Sequence, residues 1–113
     1  MTQSSLQVTD EIAASGATHP RVSLQSMKDK IAAEYFFTAD KAIEAIGAPA
    51  VDALKLLTVC IIVMENGFTV IGKSAPASPE NFDADKGQTF AREDAIRQLW
   101  PLEGYALREK LAA

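Results

Sequence analysis

The chain has 113 residues, 48% of them hydrophobic and 23% charged, and its formal net charge at pH 7 is −4. This length and composition predict a single globular domain. The acidic balance argues against a general nucleic-acid binder, because such proteins neutralise phosphates. A lone cysteine cannot form an intrachain disulfide, and the longest apolar run, residues 56–64, is too short to cross a bilayer. We therefore expect a protein of a reducing cytoplasm whose partner is neither a membrane nor a nucleic acid.

The first twenty residues differ in composition from the rest of the chain. They are rich in Ser, Thr, Ala and Gln, with Gly16 and Pro20 as helix breakers. We expect residues 1–20 to form a flexible arm, or an arm that docks on a partner subunit. Residues 21–113 are then the single domain.

The next segment favours helices. Ser23 is a typical N-cap, and the apolar spacing after it predicts a helix to about Tyr35. Thr38 begins a second helix, Ala39–Ile46, and a third helical turn, Val51–Leu56, leads into the first predicted strand.

Asn66-Gly67 lies between two apolar, β-branched runs, which is a strong hairpin signal. The dipeptide tolerates positive φ at both central positions, so it predicts a two-residue type I′ turn. The register that follows pairs Glu65 with Phe68, Val63 with Val70, and Cys60 with Lys73.

In that register, both faces of the hairpin are apolar. One face carries Val59, Ile61, Val63, Phe68 and Val70, and the other carries Cys60, Ile62, Met64 and Ile71. Because an isolated two-stranded ribbon is only marginally stable in water, we expect a homodimer or higher homo-oligomer, with the first of these faces as its interface. Two hairpins would join into a four-stranded sheet or pack face to face. The predicted fold is α+β, with an antiparallel hairpin over about residues 57–75 packed with four to five helices.

The second half of the chain predicts two further helices. Ser78-Pro79-Glu80 is a good helix start, and Asp83 recaps a long helix that reaches Trp100. Pro101 breaks this helix, and a final helix follows over Leu102–Leu111 with Tyr105 facing inward. The long helix has small residues four apart, which predict close packing against a sheet or another helix. These residues are Gly87, Ala91 and Ala95.

Several blocks of sequence resemble a known family. They are Asn66–Ala75, Ser78–Asp83, Ala91-Arg92 and Leu99–Arg108. On these blocks the chain resembles a family of short bacteriophage and prophage proteins named for gene products forty-nine and sixty-six of two enterobacterial phages, over roughly residues 21–111. The resemblance implies a small phage accessory protein acting in the host bacterial cytoplasm, and it implies no catalytic residues. Ile71 and Lys73 stand where more variable or polar residues are expected.

Residues typical of catalysis or metal binding are sparse. His19 is the one histidine and precedes a proline in the N-terminal arm, where nothing would hold it against a nucleophile. Cys60 alternates with apolar residues and is expected to be a buried, inert thiol. The sequence has neither metal-ligand spacing nor a phosphate-cradling glycine loop. We expect a protein that is not an enzyme and uses no cofactor or metal.

A small set of polar residues could bind a ligand. Asn81 and Asp83 would present an amide and a carboxylate at a helix start, where they suit the polar edges of a base or ribose. Lys73, Arg92 and Arg108 could line a positive pocket between subunits, with Tyr105 on the same helix face as Arg108. The simpler interpretation is helix initiation at the corner and solvated charges elsewhere.

Two functions fit these observations best. The first is an oligomeric sponge that sequesters a nucleotide-type signal of host antiviral defence. The second is a protein-interaction module that binds and inhibits or redirects a host enzyme. A structural or DNA-metabolism accessory is the third, which the acidic charge favours least.

Overall fold

The computed structural model describes residues 4–113, which form helices around a three-stranded antiparallel sheet. The helices are α1 (Ser5–Ala14), α2 (Leu24–Asp29), α3 (Ala39–Ala45), α4 (Ala84–Arg97) and α5 (Leu99–Ala112). The strands are β1 (Ile31–Thr38), β2 (Thr58–Met64) and β3 (Thr69–Ser74), with β2 in the centre. Short 3₁₀ turns, Asp52–Leu56 and Pro79–Asn81, precede β2 and α4. The predicted α+β class is confirmed. None of the helices in residues 4–113 has the length and apolar character needed to cross a membrane.

The predicted helix from Ser23 to Tyr35 is wrong in its second half. Helix α2 ends at Asp29, and the chain then enters β1, which pairs with β2 along almost its whole length. Its sequence, Ile-Ala-Ala-Glu-Tyr-Phe-Phe-Thr, is rich in aromatic and β-branched residues. The β2 backbone gives this segment the hydrogen-bond partners that favour a strand over a helix. The hairpin is therefore part of a larger sheet within one chain.

The hairpin turn lies at Asn66-Gly67 as predicted, but the predicted type I′ conformation is wrong. The loop has three residues, because the Met64 amide donates to the Phe68 carbonyl at 2.8 Å and the Gly67 amide donates to the Met64 carbonyl at 2.8 Å. Gly67 has φ +88°, while Asn66 has a negative φ. The Asn66 side-chain oxygen accepts from the Phe68 amide at 2.9 Å instead. This is the usual three-residue arrangement with glycine in the left-handed position.

The longer loop shifts the predicted register by one residue. Cys60 faces Gly72 rather than Lys73, and Val63 faces Thr69 rather than Val70. A shift of one residue moves every β3 side chain to the other face of the sheet.

The predicted grouping of apolar side chains on the hairpin changes with the register. Val70 is buried on the same face as Cys60 and Ile62, so its placement with Val59, Ile61 and Val63 is wrong. The predicted placement of Phe68 on that face is also wrong, because Phe68 lies beside the turn and is 53% exposed.

Helix α4 packs on the face of β2 and β3 that carries Cys60, Ile62 and Val70, and its small residues make close packing possible. Ala91 and Ala95 are fully buried above Gly72, where a Cβ would overlap the α4 backbone. The predicted small-residue ridge is thus confirmed. The core on this side consists of Leu6, Leu24, Met27, Cys60, Ile62, Met64, Val70, Ala91, Ala95, Ile96 and Leu99.

Two side chains at the C-terminal end of α4, Asp94 and the C-cap Gln98, also close the outer edge of β3. The Asp94 carboxylate accepts from the Lys73 amide at 2.9 Å, and the Gln98 side-chain amide donates to the Ile71 carbonyl at 2.6 Å. These contacts occupy backbone groups that another strand would need for pairing. The β3 edge is therefore poorly suited to extending the sheet.

The N-terminal segment, for which we expected flexibility or docking on a partner, contains α1. Ser4 caps this helix, and Leu6 is buried in the core of the same chain. The Asp10 carboxylate accepts from the Leu24 amide and from Arg21 Nη1, both at 2.9 Å. Residues before position 21 therefore contact the domain directly.

The C-terminal helix begins earlier than predicted. Leu99 starts α5, so Pro101 lies in its first turn, where a missing N–H leaves no helical hydrogen bond unmade. Leu99 is buried, and the Trp100 indole donates to the Val22 carbonyl at 3.3 Å. Tyr105 is 69% exposed, which makes its predicted inward position wrong.

Candidate functional site

A cleft of about 170 Å³ opens where β3 ends, between the Pro79–Asn81 turn and the first turns of α4. We call it the strand-exit cleft. Its polar lining residues are Thr58, Ser74, Asn81, Asp83 and Lys86, and its aromatic lining residues are Phe82 and Phe90. Two of the predicted ligand-binding residues, Asn81 and Asp83, therefore lie in one cleft.

The local sequence explains how these side chains come together. The Asp83 carboxylate caps α4 by accepting from the Lys86 amide at 3.1 Å. The predicted role of Asp83 as N-cap is therefore confirmed. The cleft thus combines an amide, a carboxylate, an ammonium group and aromatic rings. Such a set can hydrogen-bond to a polar ring while stacking on its face.

Thr58 is a member of this cleft that sequence reasoning missed. The residue is 3% exposed, and its Oγ1 has no hydrogen-bond partner among residues 4–113. The hydroxyl lies against Gly87, where a Cβ would stand 2.6 Å from Oγ1. A buried, unsatisfied hydroxyl is costly. In the sequence Thr58 is an ordinary β-branched strand residue, so no local pattern identifies it.

The other predicted ligand-binding residues lie elsewhere. Arg92 forms an ion pair with Glu34 of β1 on the α4 side of the sheet. Lys73 is opposite Val59 on the other face. Arg108 and Tyr105 are exposed on α5. Within residues 4–113, these side chains do not line the strand-exit cleft, so one chain does not assemble the predicted positive pocket there.

A larger groove of about 450 Å³ lies at the other end of the α4 side, between the hairpin turn and α5. We call it the turn groove. It is lined by Lys30, Met64, Glu65, Asn66, Phe68, Leu99, Leu102, Glu103 and Ala106. Met64 and Leu99 are buried, whereas Phe68 and Leu102 are exposed. One wall of the groove is the start of α5, which begins at Leu99. The sequence prediction missed this wall because it ended a helix at Pro101.

The rim of the turn groove carries charged side chains. Lys30 Nζ and Glu103 Oε2 form an ion pair at 2.7 Å. Glu65 forms no ion pair with any other residue of the described chain. The groove therefore combines an apolar centre with one unpaired carboxylate at its edge.

The sheet face turned away from α4 is also apolar, and we call it the open face. By register it carries Ala33, Tyr35 and Phe37 of β1, Val59, Ile61 and Val63 of β2, and Thr69, Ile71 and Lys73 of β3. Tyr35 and Ile71 are each 58% exposed, on either side of Ile61. Three predicted interface residues, Val59, Ile61 and Val63, thus share this face.

Cys60 lies on the α4 side of the sheet, away from these surfaces. Its burial, aided by the nearby Glu34 carboxylate, raises the pKa of the thiol to about 11. His19 is exposed near the N-terminal side of α2. Among the described residues, no three His, Cys, Asp or Glu side chains cluster in a way that could hold a metal ion.

Comparison with known protein families gives a match over most of the chain. The model of the phage protein (N4 Gp49/phage Sf6 gene 66) family matches residues 22–111. No curated protein and no solved structure matches the chain. The family match extends from just before α2 to the last turn of α5 and includes the sheet, the strand-exit cleft and the turn groove. Because it covers most of the chain, the protein belongs to the phage protein (N4 Gp49/phage Sf6 gene 66) family.

Proposed function

We propose that this protein is a non-enzymatic phage accessory protein that binds a host protein through the turn groove. The observation that supports this most is the exposure of Phe68 and Leu102 over a floor of buried Met64 and Leu99. Exposed apolar side chains around a concavity are typical of sites that receive a partner. A groove of about 450 Å³ is large enough for a few anchoring side chains.

The shape and charge of the groove favour an amphipathic helix as the bound segment. Helix-in-groove recognition inserts apolar residues spaced three or four apart. The unpaired carboxylate of Glu65 on the rim favours a basic residue beside that apolar stripe. The proposed partner is therefore a host protein with an exposed helix that is apolar on one side and basic along its flank.

Membership of a phage family supports a role during infection. Binding to a host enzyme would inhibit or redirect it, and a component of antiviral defence is the target class we propose. The phage protein needs no catalytic activity for this, because binding the host helix blocks the contacts that the helix normally makes.

A pull-down from lysate of the host bacterium tests this proposal. The wild-type protein is expected to retain one stoichiometric partner. Leu102→Glu places a charge in the groove and should reduce retention at least about tenfold. Leu111→Glu changes another exposed leucine of α5, one that does not line the groove, and should retain the partner. Equal retention by both variants would refute the turn groove as the site.

A second candidate function is favoured by the strand-exit cleft. There the protein would act as a sponge for a nucleotide-type defence signal, with Asn81 and Asp83 contacting a base or ribose and Lys86 a phosphate. The unpartnered Thr58 hydroxyl beside them supports this candidate, because a ligand or ordered water would satisfy it. At about 170 Å³ the cleft is below the usual size of a whole ligand site, so it would hold one ring only.

Thermal-shift assays with cyclic dinucleotides and ADP-ribose-type nucleotides test the second candidate. A bound ligand should raise the melting temperature, and Asn81→Ala should abolish the shift without lowering the basal stability. Arg108→Ala, which lies outside the cleft, is the matched control. Arg92→Ala is unsuitable as a control because it leaves Glu34 without its ion-pair partner. Absence of any shift at millimolar nucleotide would exclude the sponge.

A further inference from the structure

The open face has the composition of an interior surface. Of its nine side chains, Lys73 is the one with a charge, and Thr69 is the one other non-aromatic polar residue. Antiparallel sheets with one face in water normally alternate apolar and polar residues. Here β2 is apolar on both faces, from Val59 to Met64. This face therefore needs a cover that α4 cannot supply.

We propose that the open face is the interface of a homodimer, with the two sheets packed face to face around a twofold axis parallel to β2. This inference is independent of the proposed host-protein site. The open face lies on the side of the sheet opposite the turn groove, so both grooves of the dimer would remain accessible.

The distribution of side chains across the sheet supports a second copy as the cover. The β1 edge carries the aromatic Tyr35 and Phe37, while the β3 edge carries the slimmer Ile71 and the cationic Lys73. A twofold axis along β2 places the β1 edge of one copy against the β3 edge of the other. Large side chains then face smaller ones, as well-packed sheets require.

Charge complementarity favours the same arrangement. In register, Lys73 lies in the row of Val59 and Phe37, so the twofold axis brings the ammonium group of one copy over the Phe37 ring of the other. A cation over an aromatic face is attractive. The face contains no carboxylate, so the net charge of −4 on each chain does not place like charges in the contact.

The outer edge of β3 is poorly suited to the alternative, an edge-to-edge dimer through that strand. Asp94 and Gln98 occupy the backbone groups of Lys73 and Ile71 on the outer edge of β3. Joining two hairpins through β3 into one larger sheet would break these hydrogen bonds. With about nine sheet residues per copy instead of the 20–30 of a standard interface, we expect a reversible dimer.

Sedimentation velocity of the full chain from about 1 to about 300 µM tests the proposal. The wild-type protein should change from monomer to dimer with concentration. Tyr35→Glu and Ile71→Lys should each weaken dimerisation at least about tenfold. Leu102→Glu, in the turn groove, should dimerise like the wild type. Both face variants change exposed side chains, so their melting temperatures at low concentration should stay close to that of the wild type.

Mixing the two face variants distinguishes this geometry from any other use of the face. Because Tyr35 of one copy faces Ile71 of the other, an equimolar mixture of Tyr35→Glu and Ile71→Lys should recover a dimer through a Glu–Lys pair. A wild-type protein that stays monomeric at the highest concentration would overturn the homodimer and leave the face to a different partner. Recovery failing in the mixture would overturn the proposed axis.

Discussion

Gly72 of β3 lies directly beneath Ala91 of α4, so close that a Cβ on Gly72 would overlap the Ala91 carbonyl oxygen. This contact sets the distance between the helix and the sheet. Ala95 lies one turn further along and is equally buried. Because neighbouring core side chains are packed to the density of a crystal, a change in this distance would affect the whole α4 side of the sheet.

We predict that Gly72→Ala destabilises the protein by at least about 3 kcal/mol, since a backbone-to-backbone overlap cannot relax by a rotamer change. Gly104→Ala is the matched control. Nothing lies within 4 Å of a Cβ at Gly104, and α5 is regular there. This control should gain about 0.5–1 kcal/mol from helix propensity. Urea denaturation of the three proteins measures both effects, and equal stability of Gly72→Ala and wild type would contradict the close contact.

The Thr58 hydroxyl gives a prediction of opposite sign. Thr58→Val replaces the unpartnered Oγ1 by a methyl group of similar shape and should stabilise the free protein by about 1–2 kcal/mol. Thr69→Val, which changes a solvent-exposed threonine of β3, should alter stability by less than about 0.5 kcal/mol. A stabilised Thr58→Val that no longer shows a nucleotide shift would link the hydroxyl to the ligand. Destabilisation would mean that Oγ1 has a partner, such as a buried water.

The sequence predicts the helix–sheet contact well because it depends on local spacing alone. Residues four apart on a helix share a face, so the small residues Gly87, Ala91 and Ala95 identify the packing side without any tertiary information. The Asp83 cap is local in the same way. The strand-exit cleft could be anticipated for this reason, since both of its predicted residues follow directly from the helix start.

Features that depend on distant partners could not be predicted in this way. The segment after Ser23 has helical apolar spacing at first, and β1 forms because β2, far along the chain, satisfies its backbone. The register of the hairpin depends on one extra loop residue, and the dipeptide Asn66-Gly67 fits both loop lengths. Tyr105 is exposed rather than inward because α5 begins at Leu99, and it is Leu99 that faces the core.

The three-residue loop predicts that Gly67 contributes more to stability than Asn66. Gly67→Ala should cost about 1–2 kcal/mol, because φ is +88° there. Asn66→Ala should cost less, about 0.5–1 kcal/mol, since it loses only the hydrogen bond to the Phe68 amide. In a type I′ turn both positions would need positive φ, and the two losses would be similar. Thermal unfolding of the two variants separates these outcomes.

The carboxylate of Asp10 makes stability depend on acid pH. Hydrogen bonds from the Leu24 amide and from Arg21 hold the pKa of Asp10 below its usual value of 3.8. A lowered folded-state pKa gives stability that is complete above pH 4–5 and is lost as pH falls through the folded pKa. Asp10→Asn should therefore be about 1–2 kcal/mol less stable than wild type at pH 7. The difference should shrink near pH 3, and a constant difference over this range would contradict the assignment.

The buried thiol of Cys60 makes stability depend on alkaline pH. Because burial raises its pKa to about 11, the native protein should not react with a thiol reagent at pH 8, whereas the protein in denaturant should react fully. The unfolded thiol ionises near its ordinary value of 9.0. The unfolded state therefore releases its proton first, and stability falls as pH rises from 9 to 11, by up to about 2–3 kcal/mol. Cys60→Ala should lack this component of the decline, so the difference between the two proteins isolates the contribution of the thiol. Rapid labelling of the native protein, or an identical decline in the variant, would show that the thiol reaches solvent without unfolding.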